Sequence, residues 1–180
     1  MKTFFSSLRL LAALTVVTGL LYPLAVWAVG RAFFREAAGG SLLMRDGHLV
    51  GSALLAQKNT DARYFWSRPS AGAYATVASG ASNQAWTNAK LAAAVAERRT
   101  TLGDAPDLLT ASGSGLDPHL SPEAVLLQVS RVAQSRQIIA DQQFAIIELV
   151  ARHTEGGQIS PARVNILRLN LALDTAFPPP

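Results

Sequence analysis

LLAALTVVTGLLYPLAVWAVG, residues 10–30, carries no charged residue over its whole length. As a helix rising about 1.5 Å per residue it reaches about 30 Å, the thickness of a bilayer's hydrocarbon core. The stretch reads as one membrane-spanning helix, and it divides the 180-residue chain. Residues 1–9 are a short tail, 10–30 the span and 31–180 one folded polar domain. That remainder suffices for a single domain with a core and is too short for two. Tyr22 and Trp27 lie toward the C-terminal part of the span, and Trp27 suits an interfacial depth. Pro23 removes a backbone donor and favours a kink, where a neighbouring helix would re-satisfy the freed carbonyl. Thr15, Thr18 and Gly19 either serve close helix packing in lipid or are simply tolerated there.

A cleaved signal peptide is the rival reading, with Val26-Trp27-Ala28 as the cleavage site. The apolar run is longer than the roughly 7–15 residues of a signal-peptide core, which favours an uncleaved anchor. Lys2, Arg9 and the terminal amine precede the span, and Arg31, Arg35 and Glu36 follow it. The Lys/Arg bias is nearly nil. The terminal amine tips the orientation toward an inside N-terminus and a domain outside the cytoplasm.

Composition excludes several functions. The formal charge is +4, but from Arg31 onward 14 Lys and Arg face 12 Asp and Glu. No basic stripe with interleaved aromatics appears, so nucleic acid is not the expected partner. With no cysteine, disulfide frameworks, thiol catalysis and cysteine–zinc sites are excluded.

The polar part reads as a small α+β domain. Residues 37–40 are a short flexible exit. Asp46-Gly47 between Leu42-Leu43-Met44 and Leu49-Val50 predicts a hairpin. Residues 63–70 gather three aromatics beside two arginines, either as a binding surface or, as we favour, an anchoring cluster with stacked arginine. Residues 71–83 are an irregular loop. A helix is expected over 88–99, a short strand at Leu108-Leu109-Thr110 and a compact loop over 111–119. Ser121 as N-cap, Pro122 and Glu123 open a helix with Val125, Leu126, Val129, Val132 and Ala133 on its apolar face. A further helix over 141–152 uses Phe144, Ile147 and Val150 or Ala151. Residues 164–171 alternate with one phase slip between Ile166 and Leu167, which predicts a strand. Pro178 to Pro180 are a frayed end.

The residues alone offer weak chemistry. Ser112 or Ser114 with Asp117 and His119 would make a hydrolase, but sequence adjacency does not build a triad and the Gly-x-Ser-x-Gly frame is wrong. A glycine loop before the helix at Pro122 suits an anion, yet no Walker A loop is present. His48, His119 and His153 are scattered, with no second histidine or cysteine at i+4. No catalytic or metal residue is assigned.

Eight stretches together resemble one family. They are TGLLYPL at 18–24, GSALLAQ at 51–57, YFWSRPSA at 64–71, SGASN at 79–83, LLTASGSGLDPH at 108–119, QVSRVA at 128–133, RVNIL at 163–167 and LNLALD at 169–174. In this order they resemble the KdpC family, the C subunit of the bacterial potassium-transporting Kdp ATPase. The likeness covers nearly the whole chain, and residues 110–119 are its most specific part. Ala56, Ala81 and Lys58-Asn59 depart from the usual pattern.

The resemblance implies a complex with KdpA, which carries the ion site, KdpB, a P-type ATPase, and KdpF, a small stabilising peptide. This chain lacks the Asp-Lys-Thr-Gly-Thr phosphorylation motif. The resemblance therefore implies a non-catalytic accessory subunit of ATP-driven potassium uptake, described for the family as a catalytic chaperone that raises the ATP affinity of KdpB. No cofactor is expected to be held firmly, ATP being reached through the complex. Ser112, Gly113, Ser114, Gly115 and Gln128 are the positions for nucleotide contact. Thr18, Gly19, Tyr22 and Pro23 are those for partner helices, beside membrane lipid. Arg68, Pro69, Ser70, Asn83, Asp117, His119, Arg131 and Asn165 are structural motif residues. The expected location is the bacterial inner membrane, with a periplasmic or extracellular domain. Such a domain cannot touch cytoplasmic ATP, so its effect must travel as coupling free energy. The alternatives are a membrane-anchored nucleotide-binding regulator with a cytoplasmic domain, and a secreted hydrolase.

Overall fold

The computed structural model describes residues 2–139 and 142–178. Contacts divide the chain into two units at Leu42–Leu43. The first is one apolar helix, Lys2–Phe33, long enough to cross a membrane. It comprises α1 (Lys2–Val16), a π-helical turn (Val17–Leu21) and α2 (Tyr22–Phe33). It therefore runs past the expected 10–30 at both ends. The π turn lies just before Pro23, whose missing N–H leaves the carbonyl four residues back without its usual donor. The Tyr22 N–H reaches the Val17 carbonyl instead, an i→i−5 bond that widens the ladder for one turn. Thr18 donates to the Leu14 carbonyl at 2.7 Å. After Phe34 the chain forms a helical turn, α3 (Arg35–Ala38). Ala37 and Ala38, expected in a flexible exit, thus belong to a hydrogen-bonded turn that Gly39 and Gly40 close.

The second unit begins with the expected hairpin. Strands β1 (Leu42–Arg45) and β2 (His48–Ser52) flank Asp46 and Gly47, both at positive φ, 50° and 78°, as a two-residue type I′ turn requires. Residues 71–83 contain neither helix nor strand. Asn88 caps α4 (Ala89–Leu102) by accepting the Lys90 N–H.

The remaining elements enclose the core: α5 (Pro106–Leu109), β3 (His119–Leu120), α6 (Pro122–Leu126), α7 (Val129–Ser135), α8 (Gln143–Arg152), β4 (Thr154–Glu155), β5 (Arg163–Asn165) and α9 (Ile166–Ala176). The three short strands form an antiparallel sheet in the order β3-β5-β4, with His119 opposite Asn165 and Thr154 opposite Val164. Phe65, Leu120, Val125, Val132, Ile146, Val164, Leu169 and Leu173 are buried together. The architecture is α+β, as read from the sequence.

Four local expectations are corrected. Leu108 and Leu109 are the buried end of the helical turn α5, which Pro106 opens from an extended Ala105. They form no strand. The helix opened by Ser121 is broken at Leu127–Gln128 into α6 and α7, and Leu126 faces solvent. Helix α8 buries Ile146, Leu149 and Val150, leaving Phe144 and Ile147 outward. Its apolar residues wrap the helix, so periodicity alone does not select the inner face. The expected strand over 164–171 ends at Asn165, whose side chain accepts the Arg168 N–H and starts α9. The phase slip at Ile166–Leu167 is this junction. Asp141, expected to open α8, and Pro179 and Pro180 of the expected frayed end lie outside the described residues.

Candidate functional site

Residues 62–64 turn, with the Tyr64 N–H donating to the Asp61 carbonyl at 3.2 Å. Phe65 and Trp66 follow outside any helix or strand, so the other peptide groups of this aromatic segment need partners. Side chains supply them. The Ala62 and Tyr64 carbonyls accept from Arg131 Nη1 at 2.7 and 3.1 Å. The Arg63 carbonyl accepts from Arg136 Nε at 2.7 Å. Phe65 donates its N–H to Asn170 Oδ1 and accepts from Asn170 Nδ2, both at 2.9 Å. Trp66 donates its N–H to Gln128 Oε1 at 2.8 Å and accepts from Gln128 Nε2 at 3.2 Å. Two amide side chains thus imitate strand neighbours. Asn170 comes from α9, and Gln128 from the break between α6 and α7.

The aromatics are anchored accordingly. Phe65 is in the core. Arg131 lies 3.8 Å above the Trp66 ring and Arg136 lies 4.8 Å above that of Tyr64. The stacked arginines come from α7 and its C-terminal cap, whereas Arg63 pairs with Asp61 at 2.6 Å. The Arg63 side chain, then its backbone N–H, holds the Asp61 carboxyl down at about 2 from 3.8. A depressed carboxyl pKa gives a contribution present above the ordinary value and lost as pH falls through the depressed one. A carbon-detected NMR titration of the full chain should place Asp61 near 2, and Arg63→Ala should return it toward 3.8.

A buried ion pair closes the far end of this segment. Arg136 Nη2 lies 2.6 Å from Asp174 Oδ1, and Arg136 Nη1 donates to the Phe177 carbonyl at 2.5 Å. The two residues are 4% and 7% exposed. The Tyr64 hydroxyl donates to Asp174 Oδ2 at 3.1 Å, and Arg45 of β1 bonds the same oxygen. Asp174 therefore joins the hairpin, the aromatic segment and α9.

The motif loop over 111–119 is fixed by neighbours from the same motifs. The Ser112 N–H donates to the Pro69 carbonyl at 3.2 Å, and the Ala56 N–H to that of Leu116 at 2.9 Å. Gly115 has φ +72°, and a Cβ there would stand 2.9 Å from the Gly80 carbonyl oxygen and 3.3 Å from Ser70 Oγ, so only glycine fits. Asp117 accepts the His119 N–H at 3.0 Å and faces Arg68 Nη1 at 3.3 Å. Asn165 donates to the Ala53 carbonyl at 2.7 Å and stands 3.5 Å from His119 Nε2. Ser70 Oγ accepts the Tyr74 N–H. Arg68, Pro69, Ser70, Asp117, His119 and Asn165 thus converge. Asn83, at φ +52°, lies in the irregular stretch, and Arg131 serves the aromatic segment.

The five positions read for nucleotide contact divide. Ser112, Gly113 and Ser114 border an open groove of about 410 Å³ with Leu54, Leu55 and Leu116. Gln128 is absent from that lining. It is buried, and its amide serves Trp66, Arg131 and Ala124. Ser112 Oγ, itself buried, accepts the Asp117 N–H at 3.5 Å. Within the apolar helix, Thr18 and Gly19 form part of the π turn, with Tyr22 and Pro23 directly after it. Nothing lies within 4 Å of a Cβ added at Gly19.

Sequence reasoning missed Arg45, Arg136, Asn170 and Asp174 as bonding residues. Asn170 and Asp174 are spaced i, i+4 on the buried face of α9, a signal that disappears when the stretch is read as a strand.

These features define a class: a small α+β domain carried on one long apolar N-terminal helix. The family model described as KdpC, K+-transporting ATPase, c chain, matches residues 4–175, and the chain belongs to that family. It is 45% identical to the potassium-transporting ATPase KdpC subunit of Leptospira interrogans, over 95% of this chain and 93% of the relative. Identity to the subunit of the same name is 48% in Sorangium cellulosum, covering 94% and 96%. In Pseudomonas putida it is 49%, covering 93% of each.

Proposed function

We propose that this chain is the non-catalytic accessory subunit of a high-affinity, ATP-driven potassium uptake complex, needed for assembly and for coupling. The observation that carries this reading is the extent of the family match. It runs through the apolar helix and the domain together. The partners are KdpA, KdpB and KdpF, the location is the bacterial inner membrane, and the domain faces away from the cytoplasm. The chain raises the ATP affinity of KdpB through the membrane subunits, as coupling free energy between distant sites. Two placements support a transmitted effect: Gln128 is committed to Trp66, and α6, behind the glycine loop, has only five residues.

A topology assay tests the transmitted route. The natural chain has no cysteine, and Val77 is fully exposed in the irregular stretch. In the Val77→Cys variant, a membrane-impermeant maleimide should label intact spheroplasts. Labelling only after permeabilisation would put the domain beside cytoplasmic nucleotide and favour the membrane-anchored nucleotide-binding regulator.

A further inference from the structure

The β1–β2 hairpin exposes large apolar side chains that nothing in the domain covers. Leu42, Met44 and Leu49 are 52%, 57% and 59% exposed. Leu42 and Met44 alternate onto one face of β1, and the two-residue turn sets Met44 opposite Leu49. The hairpin is not free to fold these residues inward. Arg45 is bonded to buried Asp174, and Gln57 Nε2 donates to the Val50 carbonyl at 3.0 Å. A two-stranded hairpin with an uncovered apolar face is marginal in water.

Chain connectivity limits how far the hairpin can stand from the end of the apolar helix. Phe33, the last residue of the apolar helix, and Leu42, the first of β1, are nine positions apart in the sequence. Even a fully extended connection would span only about 30 Å, and the helical turn Arg35–Ala38 shortens it. Phe33 and Phe34 are exposed at the helix end, where apolar rings enter the headgroup boundary. Val77, Trp86, Leu127, Ile139, Phe144 and Ile159 are exposed as well but lie much farther along the chain from the helix end, and Leu54, also exposed, closely follows β2.

We infer that Leu42, Met44 and Leu49 form a membrane-docking surface that inserts at the boundary between phospholipid headgroups and acyl chains. The inference rests on the reading of Lys2–Phe33 as a membrane span. Docking gives the domain a second attachment to the bilayer, and the Arg45–Asp174 bond carries that attachment into α9.

Single-cysteine labelling tests it on the full chain in the assembled complex. Met44→Cys, Leu49→Cys, Val77→Cys and Leu20→Cys variants would each carry an environment-sensitive fluorophore. The vesicles would be phosphatidylethanolamine and phosphatidylglycerol, with nitroxides placed at the headgroup or deep in the acyl chain. Positions 44 and 49 should lose fluorescence to the shallow nitroxide, position 20 to the deep one and position 77 to neither. Quenching at 20 without quenching at 44 and 49 would overturn the docking surface while leaving the span intact. Absence of quenching at 20 would overturn the span reading itself. Protection of 44 and 49 from aqueous iodide without lipid quenching would mean that a partner subunit covers the hairpin, which also overturns the proposal.

Discussion

Asp174→Ala should destabilise the domain by about 3–5 kcal/mol, the cost of leaving one member of a buried ion pair without its partner. Arg136 is 4% exposed and would keep its bonds to the Arg63 and Phe177 carbonyls while losing its counter-charge. The Tyr64 hydroxyl would lose its acceptor in the same step. Arg45 contributes less to this total, because its side chain is half exposed and solvent screens the pair. Arg45→Ala should therefore cost clearly less than Asp174→Ala. Replacing both charges, as in Arg136→Met with Asp174→Leu, should recover only part of the loss: the desolvation of two ions is removed together, but the Arg63 and Phe177 carbonyls and the Tyr64 hydroxyl lose their partners. Chemical denaturation of the detergent-solubilised chain measures all three variants. A loss below about 1 kcal/mol for Asp174→Ala would mean that the pair is not buried as described.

Asn170→Ala should rank second, at about 3 kcal/mol. It strips the Phe65 N–H and C=O of their partners at once, and each orphaned buried group costs about 1–3 kcal/mol. Asn170→Asp should cost at least as much, since a carboxylate still accepts from the Phe65 N–H but sets an oxygen against the Phe65 carbonyl and buries a charge. Asn170→Ala should also release the Phe65 amide to hydrogen exchange while the amides of α8 stay protected. Unchanged protection at Phe65 would show that another group satisfies this peptide.

Legibility in the sequence followed the locality of the physics. Asp46-Gly47 and Ser121 act through turn and cap geometry within a few residues, and each does so in the fold. The α9 boundary escaped because Leu167, Leu169 and Leu171 also alternate, so the stretch fits period two as well as period 3.6. Asn165 as a cap was the available counter-signal. The aromatic segment read correctly as an anchor. Its partners did not emerge because Gln128, Arg131, Arg136 and Asn170 lie 62 or more positions away. Contacts at that separation leave no periodic trace. The motif residues around Ser112 were legible through resemblance, and their mutual bonding emerged only with coordinates.

The central claim is that this chain makes a potassium-transporting assembly work without performing its chemistry. Deleting the chain from cells that depend on the high-affinity pump, and restoring it in trans, tests that most directly. Deletion should abolish high-affinity potassium uptake and recovery of the other subunits as one complex, and the intact chain should restore both. Uptake and assembly that persist at wild-type levels without the chain would contradict it.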